Sequence, residues 1–123
     1  VIVEIQQNSD TTYRVYDWDR ADKSRALHIQ ESLASIDFND FEPSPAPLPI
    51  ECKYFRVEKL EVAGEVAGTC DGSSFHLLAC IAGNITVGSE PLKVGNFVLL
   101  PAALGAYTLT GTGSVLRVTI PAR

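Results

Sequence analysis

The residues best suited to chemistry lie near the front of the chain. Glu4 sits in the apolar run Val1-Ile2-Val3-Glu4-Ile5 and Arg14 in Tyr13-Arg14-Val15-Tyr16, with the polar stretch Asn8-Ser9-Asp10 between them. In an extended chain Val1, Val3 and Ile5 share one face, while Ile2, Glu4 and Gln6 share the other. If residues 7–12 form the connecting loop, the second run returns beside the first and Arg14 falls on the face that carries Glu4. A carboxylate and a guanidinium so placed make either a structural cross-strand ion pair or an acid/base group beside an anion stabiliser. The residues by themselves leave both open.

The neighbours read more plainly as structure. Asp10 is suited to hold the turn through an Asx-type hydrogen bond. Asp17 and Arg20 pair with one another or with the helix that follows. Tyr13, Tyr16 and Trp18 read as packing residues, although an aromatic beside a cleft could border a sugar. His28 and His76 stand singly, with no third ligand indicated, and read as structural or solvent-facing. Cys52, Cys70 and Cys80 are spaced too widely for a zinc pattern and read as reduced core or edge cysteines.

The elements that must position these groups follow from periodicity. Over 22–38, Ala26, Ile29, Leu33 and Ile36 recur at helical spacing among Lys23, Arg25, Glu31 and Asp37, which predicts one short amphipathic helix. Ser24 could cap it; equally, Leu27-His28-Ile29 could be extended, with the helix starting near Gln30. Pro43, Pro45, Pro47 and Pro49 make 39–49 an extended connection, either a surface loop or a linker, and the loop is preferred. Beyond it, short strands are predicted at 52–62, 74–81, 84–87, 96–100, 107–110 and 114–120, with Ala82-Gly83-Asn84 as a hairpin turn. Phe75, Leu77, Ala79 and Ile81 share one face of their strand. A strand pair at 1–20, the helix, the loop and a β half over 50–123 together compose a single C-terminal domain, or a fragment of one, over residues 1–123.

Composition limits the choices. A chain of this length buries roughly two-thirds of its unfolded surface. Its net charge is −5, and it has no run of Lys or Arg, which excludes a nucleic-acid or anionic-membrane surface. No apolar run approaches the roughly 18 residues of a membrane span, and no signal-peptide pattern appears. Met is absent and the chain opens inside an apparent strand, which reads as the C-terminal piece of something longer.

The segment Glu4-Ile5-Gln6-Gln7-Asn8-Ser9-Asp10-Thr11-Thr12-Tyr13-Arg14-Val15-Tyr16-Asp17, with Arg20 after it, resembles the one that opens the C-terminal part of type I mannose-6-phosphate isomerases. Leu92-Lys93-Val94-Gly95-Asn96-Phe97-Val98-Leu99-Leu100-Pro101 resembles the cupin pattern of strand, Gly turn and strand ending in Pro at one edge of a jelly roll. The resemblance implies a mainly β, cupin-like jelly roll with one short α-helix. It also implies a cytoplasmic, zinc-dependent enzyme that interconverts mannose 6-phosphate and fructose 6-phosphate through an enediol(ate). By position in the motif, Glu4 matches the family's active-site glutamate and Arg14 its catalytic arginine. The family's zinc ligands, a Gln-x-His pair, a Glu and a second His, would lie upstream of this sequence. The implied partners are therefore a sugar phosphate and an N-terminal, metal-binding cupin half; no metal ligand is assigned within this chain. Alone, the chain is expected to lack zinc and activity. The rival reading is a non-catalytic cupin-like module that binds a sugar or a protein, with Glu4 and Arg14 as a structural pair.

Overall fold

A computed structural model describes residues 2–18, 25–42 and 44–121. The chain forms two compact units: residues 8–45, and residues 1–7 together with 46–123. One boundary falls inside the proline-rich segment.

The larger unit is a single antiparallel sheet. Its strands are β1 (Ile50–Glu51), β2 (Arg56–Cys70), β3 (His76–Val87), β4 (Glu90–Lys93), β5 (Phe97–Leu100) and β6 (Gly105–Thr119), with a 3-10 turn at Ala102–Leu104. They lie in the order β1-β2-β6-β3-β4, and β5 also pairs with β3. The first half of β3, His76 to Ala79, takes β5 as its neighbour; the second, Asn84 to Val87, takes β4. β6 runs along the other side of both halves.

Two predicted turns are strand interiors. Residues 82–84, expected to form a hairpin, lie within β3, and residues 111–113, expected to separate two strands, lie within β6. Both sites are rich in glycine for a different reason. Gly83 and Gly113 are cross-strand partners with positive φ, +77° and +157°. A Cβ on Gly83 would sit 2.0 Å from the Thr112 carbonyl oxygen, and one on Gly113 would sit 2.1 Å from that of Ala82. Glycine here permits close approach of backbones inside a sheet, where a turn reading is the natural alternative.

The long strands fold back on themselves at this place. Tyr107 and Arg117 are ten residues apart on β6, yet their side chains hydrogen-bond. A straight strand of that length would separate them by about 33 Å, more than the two side chains can bridge. The register of β3 also slips between Cys80 and Ala82. An extra residue in a strand reverses which face each later side chain occupies. Accordingly β3 gives Leu78 and Cys80 to the core before the slip and Ile85 and Val87 after it. The core is completed by Val62 and Cys70 from β2, Leu92, Leu100, Tyr107, Leu109 and Val115. Before the slip it therefore takes the face of β3 opposite Leu77, although Ala79, which shares the face of Leu77, is buried as well.

The smaller unit differs more from expectation. Among the described residues, 2–18 contain no strand, so the expected strand pair over 1–20 is not formed. The backbone of Arg14 is engaged elsewhere: its N–H donates to His28 Nδ1 at 3.3 Å, and its carbonyl accepts from the His28 N–H at 2.8 Å. That tie holds His28 outside helical geometry (φ −122°, ψ 58°), and the helix α1 begins just after it, spanning Ile29–Ser35. It is shorter than the 22–38 expected, and residues 22–24 lie outside the described set. Its apolar stripe, Ile29, Leu33 and Ile36, is exposed; Ser32 is its buried residue.

The glycine contacts predict unequal costs for the same substitution. Gly83→Ala combines strain with a backbone clash and should lower unfolding stability by about 3 kcal/mol or more in urea titrations. Gly64→Ala, where φ is also positive but the added Cβ meets nothing within 4 Å, should cost only ~1–2 kcal/mol.

Candidate functional site

The structure assigns Glu4 and Arg14 to separate compact units. Glu4 is exposed, at the front of the larger one. Arg14 is half-buried in the smaller one, where its Nη1 donates to the Ala26 carbonyl at 3.3 Å and its Nε lies 3.8 Å from Asp17 Oδ1. Asp17 also faces Arg25, at 3.9 Å; Arg20, the partner suggested by the sequence, lies outside the described residues. Among the described residues the guanidinium is thus oriented by a carbonyl and a carboxylate, contacts that use only part of its donor fork. The turn before it is held by Ser9, whose Oγ accepts from the Thr11 N–H at 3.2 Å. That is the bond that sequence reasoning gave to Asp10.

A second constellation, which sequence reasoning missed, lies in the larger unit. Because β2 and β6 fold back, residues from both ends of β2 (Arg56 and Glu58; Thr69 and Asp71) line one concavity of about 470 Å³ together with His76 and Arg117. Glu58 and Arg117 are direct cross-strand partners. Arg117 places Nη2 3.0 Å and Nε 3.2 Å from Glu58 Oε1, and Arg56 Nε lies 3.6 Å from the same oxygen. Arg56 also reaches Glu51 Oε2 at 2.6 Å. Both guanidinia are therefore committed to carboxylates.

Tyr107 joins this network to His76. Its ring lies over Gly68, its cross-strand partner, where a Cβ would fall 2.3 Å from the ring. In that position the hydroxyl lies 2.9 Å from His76 Nδ1 and accepts a longer bond, 3.4 Å, from Arg117 Nη1. Since arginine only donates, the phenol proton is free to point at Nδ1, and a neutral His76 then carries its own proton on Nε2. Burial, followed by the positive charge of Arg117, pushes His76 below the ordinary histidine range. In the same concavity Asp71 is held below the usual carboxylate range, chiefly by the Ser73 hydroxyl and then by the Ser73 N–H. The one sequence signal for this site is the Gly-Thr-Gly at 111–113, which interrupts an otherwise regular strand pattern.

These residues do not fit a zinc ion. His76 is tied to a phenol and faces Arg117, and no group of three or more His, Cys, Asp or Glu side chains converges anywhere among the described residues. Cys52, Cys70 and Cys80 are free thiols, the latter two buried. No described helix is long and apolar enough to cross a membrane.

Known proteins resemble this chain along most of its length. A family model described as the mannose-6-phosphate isomerase cupin domain matches residues 47–120. Mannose-6-phosphate isomerase ManA of Bacillus subtilis is 36% identical over 89% of this chain and 40% of its own length. Mannose-6-phosphate isomerase of Streptococcus mutans is 34% identical over 90% of this chain and 40% of its own. The crystal structure of the mannose 6-phosphate isomerase from Bacillus subtilis superposes with a TM-score of 0.65 at 28% identity, covering 91% of this chain and 41% of that one. The chain thus spans about two-fifths of the length of these curated relatives. The sheet and these matches agree on a mainly β, cupin-like fold with one helix.

A titration of the His76 ring by NMR should give a midpoint below about 6.5. Arg117→Met, which removes the adjacent positive charge, should move it upward. Because the folded chain resists protonating His76, stability should fall as pH drops from about 6.5 through that lower midpoint, and His76→Gln should remove this part of the slope.

Proposed function

The chain belongs to the mannose-6-phosphate isomerase cupin-domain family, and from that premise we propose that it is the C-terminal portion of an enzyme interconverting mannose 6-phosphate and fructose 6-phosphate. The observation that carries this reading is the extent of the match. Relatives bearing that name align over about nine-tenths of the chain, so the similarity runs beyond residues 47–120 into the segment before the sheet.

In this reading Glu4 is the general base. It takes the proton from C2 of the open-chain aldose; the C–H electron pair forms the C1–C2 double bond, and negative charge develops on O1. Returning the proton to C1 while the O2 proton passes to O1 turns the C1–C2 double bond into the C2 carbonyl and gives the ketose. Arg14 faces the developing oxyanion. A guanidinium stays charged at any working pH and can hydrogen-bond O1 and O2 together. Its bonds to Ala26 and Asp17 support this role, because they fix the group's direction before substrate arrives.

The parent's zinc would be held by an N-terminal, metal-binding cupin half, since the residues described here do not fit it; no step assigned to Glu4 or Arg14 passes through the metal. The parent is placed in the cytoplasm, a reading supported by three free cysteines.

Two measurements test the proposal. In the full-length parent, Glu4→Gln should lower kcat by about 10²–10⁴ and Arg14→Lys by about 10²–10³, with the far-ultraviolet spectrum unchanged. Retention of near-parental turnover by either variant would refute its assignment and favour the non-catalytic binding module. The purified 123-residue chain should show no isomerase turnover until the N-terminal half is restored.

A further inference from the structure

We propose that the concavity between the ends of β2 and β6 binds an uncharged polyhydroxylated small molecule, a free sugar or polyol, at a site independent of Glu4 and Arg14. Its volume, about 470 Å³, lies within the ~300–1,000 Å³ of small-molecule sites. The choice of ligand follows from what its walls have left to offer.

Charge excludes the other classes. Three carboxylates, Glu51, Glu58 and Asp71, face two guanidinia, Arg56 and Arg117, and both guanidinia are already engaged by Glu51 and Glu58. An anion such as a sugar phosphate would meet walls on which carboxylates outnumber guanidinia three to two. A simple cation would meet Arg56 and Arg117. A metal would lack ligands, since the imidazole is bonded to Tyr107 and repelled as a cation by Arg117.

Hydrogen bonding supplies the positive argument. The contacts of Arg56 and Arg117 with Glu58 all fall on Oε1, which leaves Oε2 as an acceptor. The Tyr107 hydroxyl fixes the neutral ring of His76 so that its Nε2–H is a donor. Asp71 is kept ionised by Ser73 and adds a second carboxylate acceptor to the lining. Thr69 and Thr119 line the same concavity, and a threonine hydroxyl can both donate and accept. Alternating acceptors and donors match the vicinal hydroxyls of a polyol, each of which donates and accepts at once. The chain Glu58–Arg117–Tyr107–His76 pre-sets the donor, so little order is lost on binding.

The test is an NMR titration of the 123-residue chain with D-glucose and with D-mannitol, and in parallel with inorganic phosphate and with glycine as a zwitterion. The expected result is saturable shifts of the Ser73, His76, Arg117 and Thr119 amides with either polyol, at a dissociation constant in the millimolar range, and none there with phosphate or glycine. Asp71→Asn and His76→Ala should each weaken binding roughly tenfold. Asp71 lies on an exposed turn, so its variant keeps the test valid if the His76 variant unfolds. A flat titration at polyol concentrations on the order of 0.1 M, stronger binding of phosphate or glycine, or an unchanged affinity in Asp71→Asn would overturn the proposal. None of these outcomes bears on isomerase activity, so this site and the role of Glu4 and Arg14 stand or fall separately.

Discussion

Close approach of backbone to backbone at Gly83 and Gly113 is the constraint on which the larger unit depends. Each α-carbon faces a carbonyl oxygen of the neighbouring strand at a distance that excludes any side chain. Strands β2, β3 and β6 are therefore able to fold over their own middles and enclose a core between their two halves. The slip between Cys80 and Ala82 serves the same end. It transfers the buried positions of β3 from even to odd residue numbers, so that both halves present apolar groups inward. Without that slip, Leu78 and Ile85 would lie on opposite faces of the strand.

The same constraint makes the concavity. Residues near the two ends of one strand, Arg56 and Asp71, come to line a common wall only because the strand between them doubles back. Tyr107 and Arg117 meet in the same way. Gly68 then determines how deep Tyr107 lies, because a methyl group at that position would occupy the space of the ring. Three glycines and a slipped register thus position His76, Tyr107, Arg117 and Glu58. The hydrogen bonds among these four orient a neutral imidazole, and the committed guanidinia take no further part in holding anions.

This geometry explains what was legible in the sequence. The strand, turn and strand at 92–101 were readable because the turn is local: Asn96 bonds back to Lys93 through its N–H, and its side chain accepts from the Lys93 N–H. The fold-back was not readable. A glycine that ends a strand and a glycine that lets two backbones touch within a sheet leave the same mark, and the turn reading is the commoner one. The ion pair of Glu58 with Arg117, and all of the polar concavity, depend on that fold-back and were lost with it. The front motif shows the opposite case. Its residue types carried the family resemblance, yet alternation suggested a partner strand for Arg14, whereas its backbone is taken by His28, a residue whose ring and main chain both bond to it.

The smaller unit explains why Arg14 would need more than this chain to act. Its helix has seven residues and no side-chain cap; a helix of that length is unstable in water without tertiary burial. Among its described residues Ser32 alone is buried, while Tyr13, Trp18, Leu33, Phe38 and Phe41 are exposed. Among the described residues, the bonds to His28, Ala26 and Asp17 set the direction of the guanidinium, but oxyanion stabilisation also requires its position to be held to a fraction of an ångström. Under the proposed function, burial of that apolar surface against the metal-binding half would order the segment and the active site in one step. Restoring that half would then improve both the stability of the segment and the placement of Arg14, whereas the polar concavity, built on a self-supporting sheet, would be complete without it.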